Sequence, residues 1–522
     1  MNFRYTSCPA FFLLPFLLTC LFACESPRSI DFPRSDLTAA PLIPKPLMVT
    51  STNSGFPLDK YTVIEVDETN PALVPIANYL AEKIGVKTGL DITVGASKNA
   101  KSRIAIALAS TSIDNPEAYQ MTIDNESIML RANTPAGAFR GIQTIRQLIP
   151  ETSNKALANN EIWVIPSGEI KDAPQYAFRS TMLDVSRHFF DAEYVKKYID
   201  LIAYYKLNAL HLHLSDDQGW RIEIKSWPKL TEVGGSSAVG GGPGGYYTQE
   251  EFKEIVSYAN DRYLSIIPEI DMPGHTNAAS VSYPFLNGNG KALDLYTGTD
   301  VGFSTFDTRK DTVYAFIDDV IREIAAISPS EFFHIGGDES HVTEKDDYHY
   351  FVSRLEKVVQ KYGKRLIGWD EVVIADLDAS SVAQVWNSQE NGQTGVAKGM
   401  QLILSPAHLT YLDMKYDSLT EIGYDWAGYI PLDTGYRWNP EDLFPIENVL
   451  GIEAPLWSET FDTPGELEFL AFPRIVGYAE LGWSTKENRN WEDYKVRLAE
   501  QSYYFRRTDV NFYRSPIIDW KN

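Results

Sequence analysis

From residue 173 onward the chain repeats one unit: a short apolar strand, a polar loop, then an amphipathic helix. Eight strand candidates carry the rhythm: FRSTMLDVS, ALHLHLSD, LSIIPEID, EFFHIGGD, RLIGWDE, SVAQVWN, MQLILSP and VLGIEAPLWSE. Between the first two, DAEYVKKYIDLIAYYK starts at Asp191, a residue suited to capping a helix. It puts Val195, Ile199, Ile202 and Tyr205 on one face. DTVYAFIDDVIREIAAIS does the same through Val313, Ile317, Val320 and Ile324. The helices around strands six and seven read as short. Strands that alternate with helices bury a parallel sheet on both faces, and eight such units predict a closed (β/α)8 TIM barrel over 173–522.

That architecture places a test on the sequence, because chemistry in such barrels sits at the C-terminal ends of the strands. The polar and aromatic residues gather there. Asp184 and Arg187 close strand one, and Asp216 and Asp217 close strand two. His275 follows strand three, and Asp338 and Glu339 follow strand four. Trp369 and Trp386 close strands five and six, Tyr411 and Asp413 follow strand seven, and Trp457 and Glu459 close strand eight. A full ring of this kind predicts a pocket.

The region 47–172 mixes short strands (YTVIEV, SRIAIALAS, AYQMTI, SIMLRA) with two amphipathic helices, NPALVPIANYLAEKIG and PAGAFRGIQTIRQLIP. It reads as a small α+β domain in which no chemistry gathers. The first residues differ again. Arg4 precedes the apolar run FFLLPFLLTCLFA, which is short for a membrane span and has the layout of an export signal. LFAC resembles a bacterial lipobox. Residues 1–24 are therefore expected to be a signal peptide, with Cys24 lipidated as the first mature residue, and 25–46 a tether to the cell envelope. All three cysteines lie in this leader, so no disulfide is available to the body. A net charge of −23 argues against nucleic acid as a partner and is compatible with a neutral substrate. The glycine-rich stretch 234–245 lacks the Lys-Ser/Thr ending of a phosphate loop and reads as a rim loop.

Carboxylates beside tryptophans at one mouth suggest a sugar site, since indoles stack on pyranose faces while acids and arginine hold hydroxyls. Two carboxyl groups usually bracket the scissile glycosidic bond. Asp338 and Glu339 are adjacent, and their side chains leave the strand end divergently, so they do not bracket one bond. Either a distant acid completes the pair or the nucleophile is not a protein group. Two other readings stand beside this one. His211 and His213 share a strand face and, with Asp216 and Asp217, could form a metal site. A non-catalytic sugar-binding lipoprotein is the other, although a pure binder has no need of a buried proton donor.

The motifs MLDVSRHFF, LHLHLSDDQGWRIEIKSWPKL, PEIDMPGH, HIGGDES and EAPLWSE, in this order, resemble the family 20 glycoside hydrolases, the β-N-acetylhexosaminidases. The resemblance runs from about residue 45 to the C-terminus and includes the small leading domain. It implies an exo-acting, retaining enzyme that removes terminal β-linked GlcNAc or GalNAc from oligosaccharides or glycoconjugates, without cofactor or metal. The substrate's own 2-acetamido oxygen attacks the anomeric carbon in such enzymes. By the same resemblance Glu339 is the acid–base, and Asp338 orients the acetamido group and offsets the oxazolinium charge. Asp216 and His275 support the proton donor, and Arg187 grips hydroxyls of the terminal sugar. Trp369, Trp386 and Trp457 wall the acetamido pocket, and Tyr411 holds its oxygen. Asp413, Trp426 and Glu459 surround the outer hydroxyls.

Overall fold

A computed structural model of the chain describes residues 1–2, 35–67, 69–96, 100–153, 161–288 and 294–521. Residues 3–34, which hold the rest of the expected leader, Cys24 and the first part of the expected tether, lie outside the described residues. The rest of that tether does not behave as one. Leu37, Leu42 and Ile43 are buried, and Gln147 clamps the Ile43 backbone from both sides at 2.8 and 2.7 Å. The Lys45 amide donates to Glu480 at 2.9 Å, so the folded body begins near residue 37 rather than 47. Apolar Leu and Ile in this segment, which composition alone had merged with its prolines and serines, are what pull it onto the core.

The leading domain is one seven-stranded mixed sheet. Helices Leu73–Thr88 and Pro135–Leu148 pack their apolar stripes against it. The four expected strands form, and three more flank them: the two-residue Thr93–Val94 at one edge and a long pair at the other. Met48–Leu58 is paired antiparallel with Trp163–Asp172. Both escape sequence reading for the same reason: they carry Gly55, Pro57, Pro166 and Gly168, residues that normally mark turns. A side chain at Gly168 would sit 1.9 Å from the Thr50 carbonyl, so the bulged pairing requires glycine.

The eight barrel strands are Phe178–Asp184, Ala209–His213, Ser265–Glu269, Phe332–His334, Arg365–Trp369, Val382–Val385, Gln401–Leu404 and Val449–Leu456. All are parallel and close in sequence order, the last pairing with the first. Asp191 caps helix Ala192–Tyr204 by accepting the Tyr194 amide, and helix Asp311–Ile327 buries Val313, Ile317, Val320 and Ile324. Strand five is followed only by the 3-10 turn Asp370–Ile374. The barrel interior is layered. Phe178, Ala209, Ile267, Phe332, Ile367, Val382 and Ile403 make an apolar floor. Above it the inward positions become His211, Glu269, His334, Gln384 and Glu453, all buried.

Two buried charge clusters fasten the small domain to the barrel. Asp172 accepts from Lys206 Nζ (2.9 Å), Tyr119 Oη (2.6 Å) and Trp483 Nε1 (2.8 Å). Glu117 of the small domain takes Arg140 Nε at 2.6 Å and Arg179 Nη2 of the barrel at 2.7 Å. Burial raises the Glu117 pKa, but the two guanidinium groups outweigh it and hold the carboxyl at about 2. A depressed carboxylate adds stability above its ordinary range near 4.5 and loses it as pH falls toward 2. Glu117→Ala strands two buried arginines and is expected to cost about 3–5 kcal/mol at neutral pH, read as a lower denaturant midpoint. The gap between variant and parent should close between about pH 4.5 and pH 2; a midpoint equal to the parent's at pH 7 would show that this cluster anchors nothing.

Candidate active site

The mouth of the barrel opens into a cleft of about 950 Å³. Its lining includes nine of the expected residues: Arg187, Asp338, Glu339, Trp386, Tyr411, Asp413, Trp426, Trp457 and Glu459. Asp216 and His275 stand one layer behind, and Trp369 lies deeper still, 1% exposed between His334 and Trp457. Trp426 is 58% exposed at the rim, edge-on to Trp386 and Tyr411 with ring centroids 6.3 and 5.9 Å away.

The adjacent acids are delivered by a turn that only glycine permits. After strand four, Gly336 and Gly337 take φ of +66° and +97°. A side chain at Gly336 would meet Asp271 Oδ1 at 1.9 Å, and the Gly337 amide donates to that same oxygen at 3.1 Å. Glu339 itself has φ of +42°, an unusual conformation for a residue with a side chain. The turn sorts the two acids by depth: Asp338 is buried, whereas the Glu339 side chain remains 30% exposed. Burial raises the Glu339 pKa, and the Asp338 charge raises it further.

Behind the pair, charges alternate in sign. His275 Nε2 is 3.8 Å from both Asp338 and Glu339, and its Nδ1 is 3.1 Å from Asp216 Oδ1. Asp216 Oδ2 is shared by Arg187 Nη2 and His213 Nε2, each at 2.8 Å. Burial would raise the Asp216 pKa, but Arg187 and His275 drive it well below the ordinary value. The same contacts act in reverse on His275: burial would lower it, yet Asp216, Asp338 and Asp271 lift it well above a free imidazole. Asp216 is thus a fixed anion and His275 a cation facing the two acids. Arg187 also reaches Asp184 at 3.4 Å and Gln218 at 3.2 Å, and its guanidinium lies 4.9 Å from the Trp457 ring centre. At the far end Asp413 is raised well above its usual value by burial and then by Glu459.

Five residues at or behind the cleft are missing from the sequence reading. Asp271 was readable, as an acid in the otherwise apolar IIPEID, and burial followed by the Asp338 charge raises its pKa well above the ordinary carboxylate value. Glu269 in the same stretch was readable on the same ground. Thr299, Val301 and Tyr424 also line the cleft, but they come from excursions without periodicity, which give no signal.

The model of glycosyl hydrolase family 20, catalytic domain, matches residues 176–348 and 340–486, and that of the family's domain 2 matches residues 39–173. A β-N-acetylhexosaminidase of Cellulomonas fimi is 36% identical over 487 residues, covering 92% of this chain and 97% of that protein. Among solved structures, the family 20 β-N-acetylhexosaminidase of Streptomyces coelicolor is 43% identical with a TM-score of 0.88, covering 93% of this chain and 100% of that one. The Streptomyces plicatus N-acetyl-β-hexosaminidase, solved in complex with thio-NAglucal, is 44% identical with a TM-score of 0.88, covering 93% and 99%.

The two histidines that the sequence offered as metal ligands, His211 and His213, are committed to carboxylates. Glu269 Oε1 lies 2.9 Å from His334 Nδ1 and accepts the Trp369 indole at 3.2 Å. Its Oε2 meets His213 Nδ1 and lies 3.0 Å from His211 Nε2. His211 Nδ1 bonds Glu453 at 3.0 Å. Burial opposes the charge on His211, but Glu453 and Glu269 raise its pKa to about 9, and His213 is raised well above its usual value. A protonated ring offers no lone pair, so His211 and His213 are poor ligands at neutral pH. Exhaustive dialysis against EDTA is therefore expected to leave both turnover and the melting temperature unchanged; loss of either, restored by a divalent ion, would revive the metal-site reading.

Proposed function

The chain belongs to family 20 of the glycosyl hydrolases, and from that membership we propose an exo-acting, retaining β-N-acetylhexosaminidase that removes terminal β-linked N-acetylhexosamine by substrate-assisted catalysis. The observation that carries the mechanism is the Asp338–Glu339 pair sorted by depth beside an aromatic box. Glu339, open to the cleft and biased toward its protonated form, donates a proton to the glycosidic oxygen as the bond to C1 breaks. The electron pair of that bond leaves with the oxygen, and the acetamido oxygen bonds C1 from the opposite face. Asp338 has a buried oxygen, Oδ1, with no protein partner among the described residues. An amide N–H placed there satisfies it, and the carboxylate offsets the positive charge of the oxazolinium ring. Glu339, now ionised, takes a proton from water as the water attacks C1 and displaces the acetamido oxygen, whose bond to C1 breaks and whose electron pair returns to the amide; this second inversion restores the starting configuration. His275, positive between Asp216 and the pair, supports that ionised state.

The remaining cleft residues divide by chemistry. Trp386, Tyr411 and Trp457 form an apolar box around the acetamido methyl, and Trp369 backs it from below. Arg187, Asp413 and Glu459 present charge to the sugar hydroxyls. Chromogenic β-glycosides of GlcNAc and GalNAc are expected to be cleaved, and that of glucose not, since it lacks the internal nucleophile. Glu339→Gln should lower kcat by about 10³-fold while KM changes little. Asp338→Asn should cost about 10²-fold on acetamido substrates. Appreciable cleavage of the glucoside, or a Glu339→Gln enzyme of near-parent rate, would sink the mechanism.

The same reading extends to placement in the cell. Arg4, the apolar run 11–23 and LFAC support export with lipid attachment at Cys24, anchoring the enzyme to the bacterial envelope. Labelled palmitate should enter the parent protein and be lost in Cys24→Ser, which should move to the soluble fraction. Equal labelling of the two would exclude Cys24 as the anchor.

A further inference from the structure

Trp386 is the wall of the proposed acetamido box that packing fixes least. It is half-buried, it stacks over Tyr411 at a centroid distance of 6.3 Å, and its other neighbour, Trp426, is itself exposed. An indole in that setting keeps rotamer freedom unless something else holds it. The dipeptide after strand five supplies the hold. Asp370 Oδ2 accepts the amides of Trp386, Asn387 and Ser388 at 3.0, 3.1 and 3.1 Å, and its Oδ1 takes the Asn391 side chain at 2.7 Å. Glu371 Oε2 accepts the Trp386 indole N–H at 3.2 Å. One acid fixes the backbone of Trp386 and the next fixes its ring.

From this geometry we propose that Glu371 is a positioning residue which, by holding the Trp386 indole, sets the width of the acyl pocket and hence the preference for a 2-acetamido over a bulkier 2-acylamido sugar. The inference rests on the reading of Trp386 as an acetamido wall. Glu371 does not reach the reacting atoms through this contact. Its remaining surface faces a side cleft shared with Glu339, Tyr348 and Ile374. Its own state fits the task. Burial, then the charges of Asp338 and Asp370, raise its pKa to about 8, so at neutral pH it accepts the indole as a neutral acid. A neutral acceptor holds the ring without placing another negative charge beside Asp338.

The test compares 4-nitrophenyl β-glucosaminides carrying N-acetyl and N-propionyl groups. In Glu371→Ala, kcat/KM for the acetyl substrate should fall about tenfold through KM and kcat together, while the propionyl substrate loses less, so the acetyl-to-propionyl ratio narrows. Glu371→Gln keeps a carbonyl acceptor and should recover most of that ratio. Trp386→Phe keeps a ring but deletes the donor, and it should narrow the ratio by itself. It reads the same bond from the other end if Glu371→Ala fails to fold. Combining Trp386→Phe with Glu371→Ala should add no further loss. Equal losses on both substrates in Glu371→Ala, an unchanged ratio in Trp386→Phe, or single-variant effects that multiply in the double variant would overturn the inference. Trp386→Ala examines the premise separately: an unchanged ratio there means that Trp386 is not an acyl wall, and it is the pocket reading that fails.

Discussion

Glu269 is the buried carboxylate on which the site stands. It meets three imidazoles, His211, His213 and His334, and the indole of Trp369. Burial alone would keep such an acid protonated, yet the surrounding histidines pull its pKa well below the ordinary value. A polar storey of this kind costs desolvation energy that an apolar layer would not. What it supplies is orientation: every inward ring of that storey has a fixed direction, and the layer above inherits it. His213 hands the constraint to Asp216, and Asp216 hands it to Arg187 and His275.

The sign of the charge alternates along that path, and this explains how so many acids coexist at one mouth. Glu269 is negative, His213 positive, Asp216 negative, and Arg187 and His275 positive. The acids that lie off this path behave differently. Asp271, Asp413, Glu371 and Glu339 all have raised pKa values, with burial as the first cause and a neighbouring carboxylate as the second. Acids shifted toward their protonated form and paired anions can share a small volume more readily than a set of bare carboxylates.

Much of this was legible in the sequence because barrels tie position in the chain to position in space. Strand periodicity located all eight strands, and the residues just past their ends proved to be the cleft lining or its immediate support. Reading failed where a physical rule was overridden by tertiary contacts. Met48–Leu58 and Trp163–Asp172 are strands despite their prolines and glycines, because one is an edge strand and the other meets it across a bulge. The segment 37–46 reads as a linker by composition, and Ile43 and Leu42 nonetheless dock into the core. Trp369 looked like a pocket wall from its place at a strand end, but a side chain pointing into the barrel there becomes floor. Thr299, Val301 and Tyr424 arrive on irregular excursions, for which no periodic rule exists.

The two glycines before Asp338 resolve what a pair of adjacent acids at a strand end is for. With ordinary residues at 336 and 337 the chain would leave the barrel extended, and alternation would send neighbouring side chains to opposite faces of the same wall. Left-handed turns at Gly336 and Gly337 instead fold the backbone over Asp271, and the Tyr348 hydroxyl pins it by donating to the Gly337 carbonyl at 2.6 Å. Asp338 then points into buried space and Glu339 toward the cleft. Two identical functional groups, one bond apart in sequence, acquire different dielectric surroundings and therefore different work. A nucleophile from the protein would need a carboxylate facing Glu339 across the substrate. The turn keeps Glu339's neighbour on the same side, beside the aromatic box, which is the arrangement that the proposed attack by the substrate's own acetamido oxygen calls for.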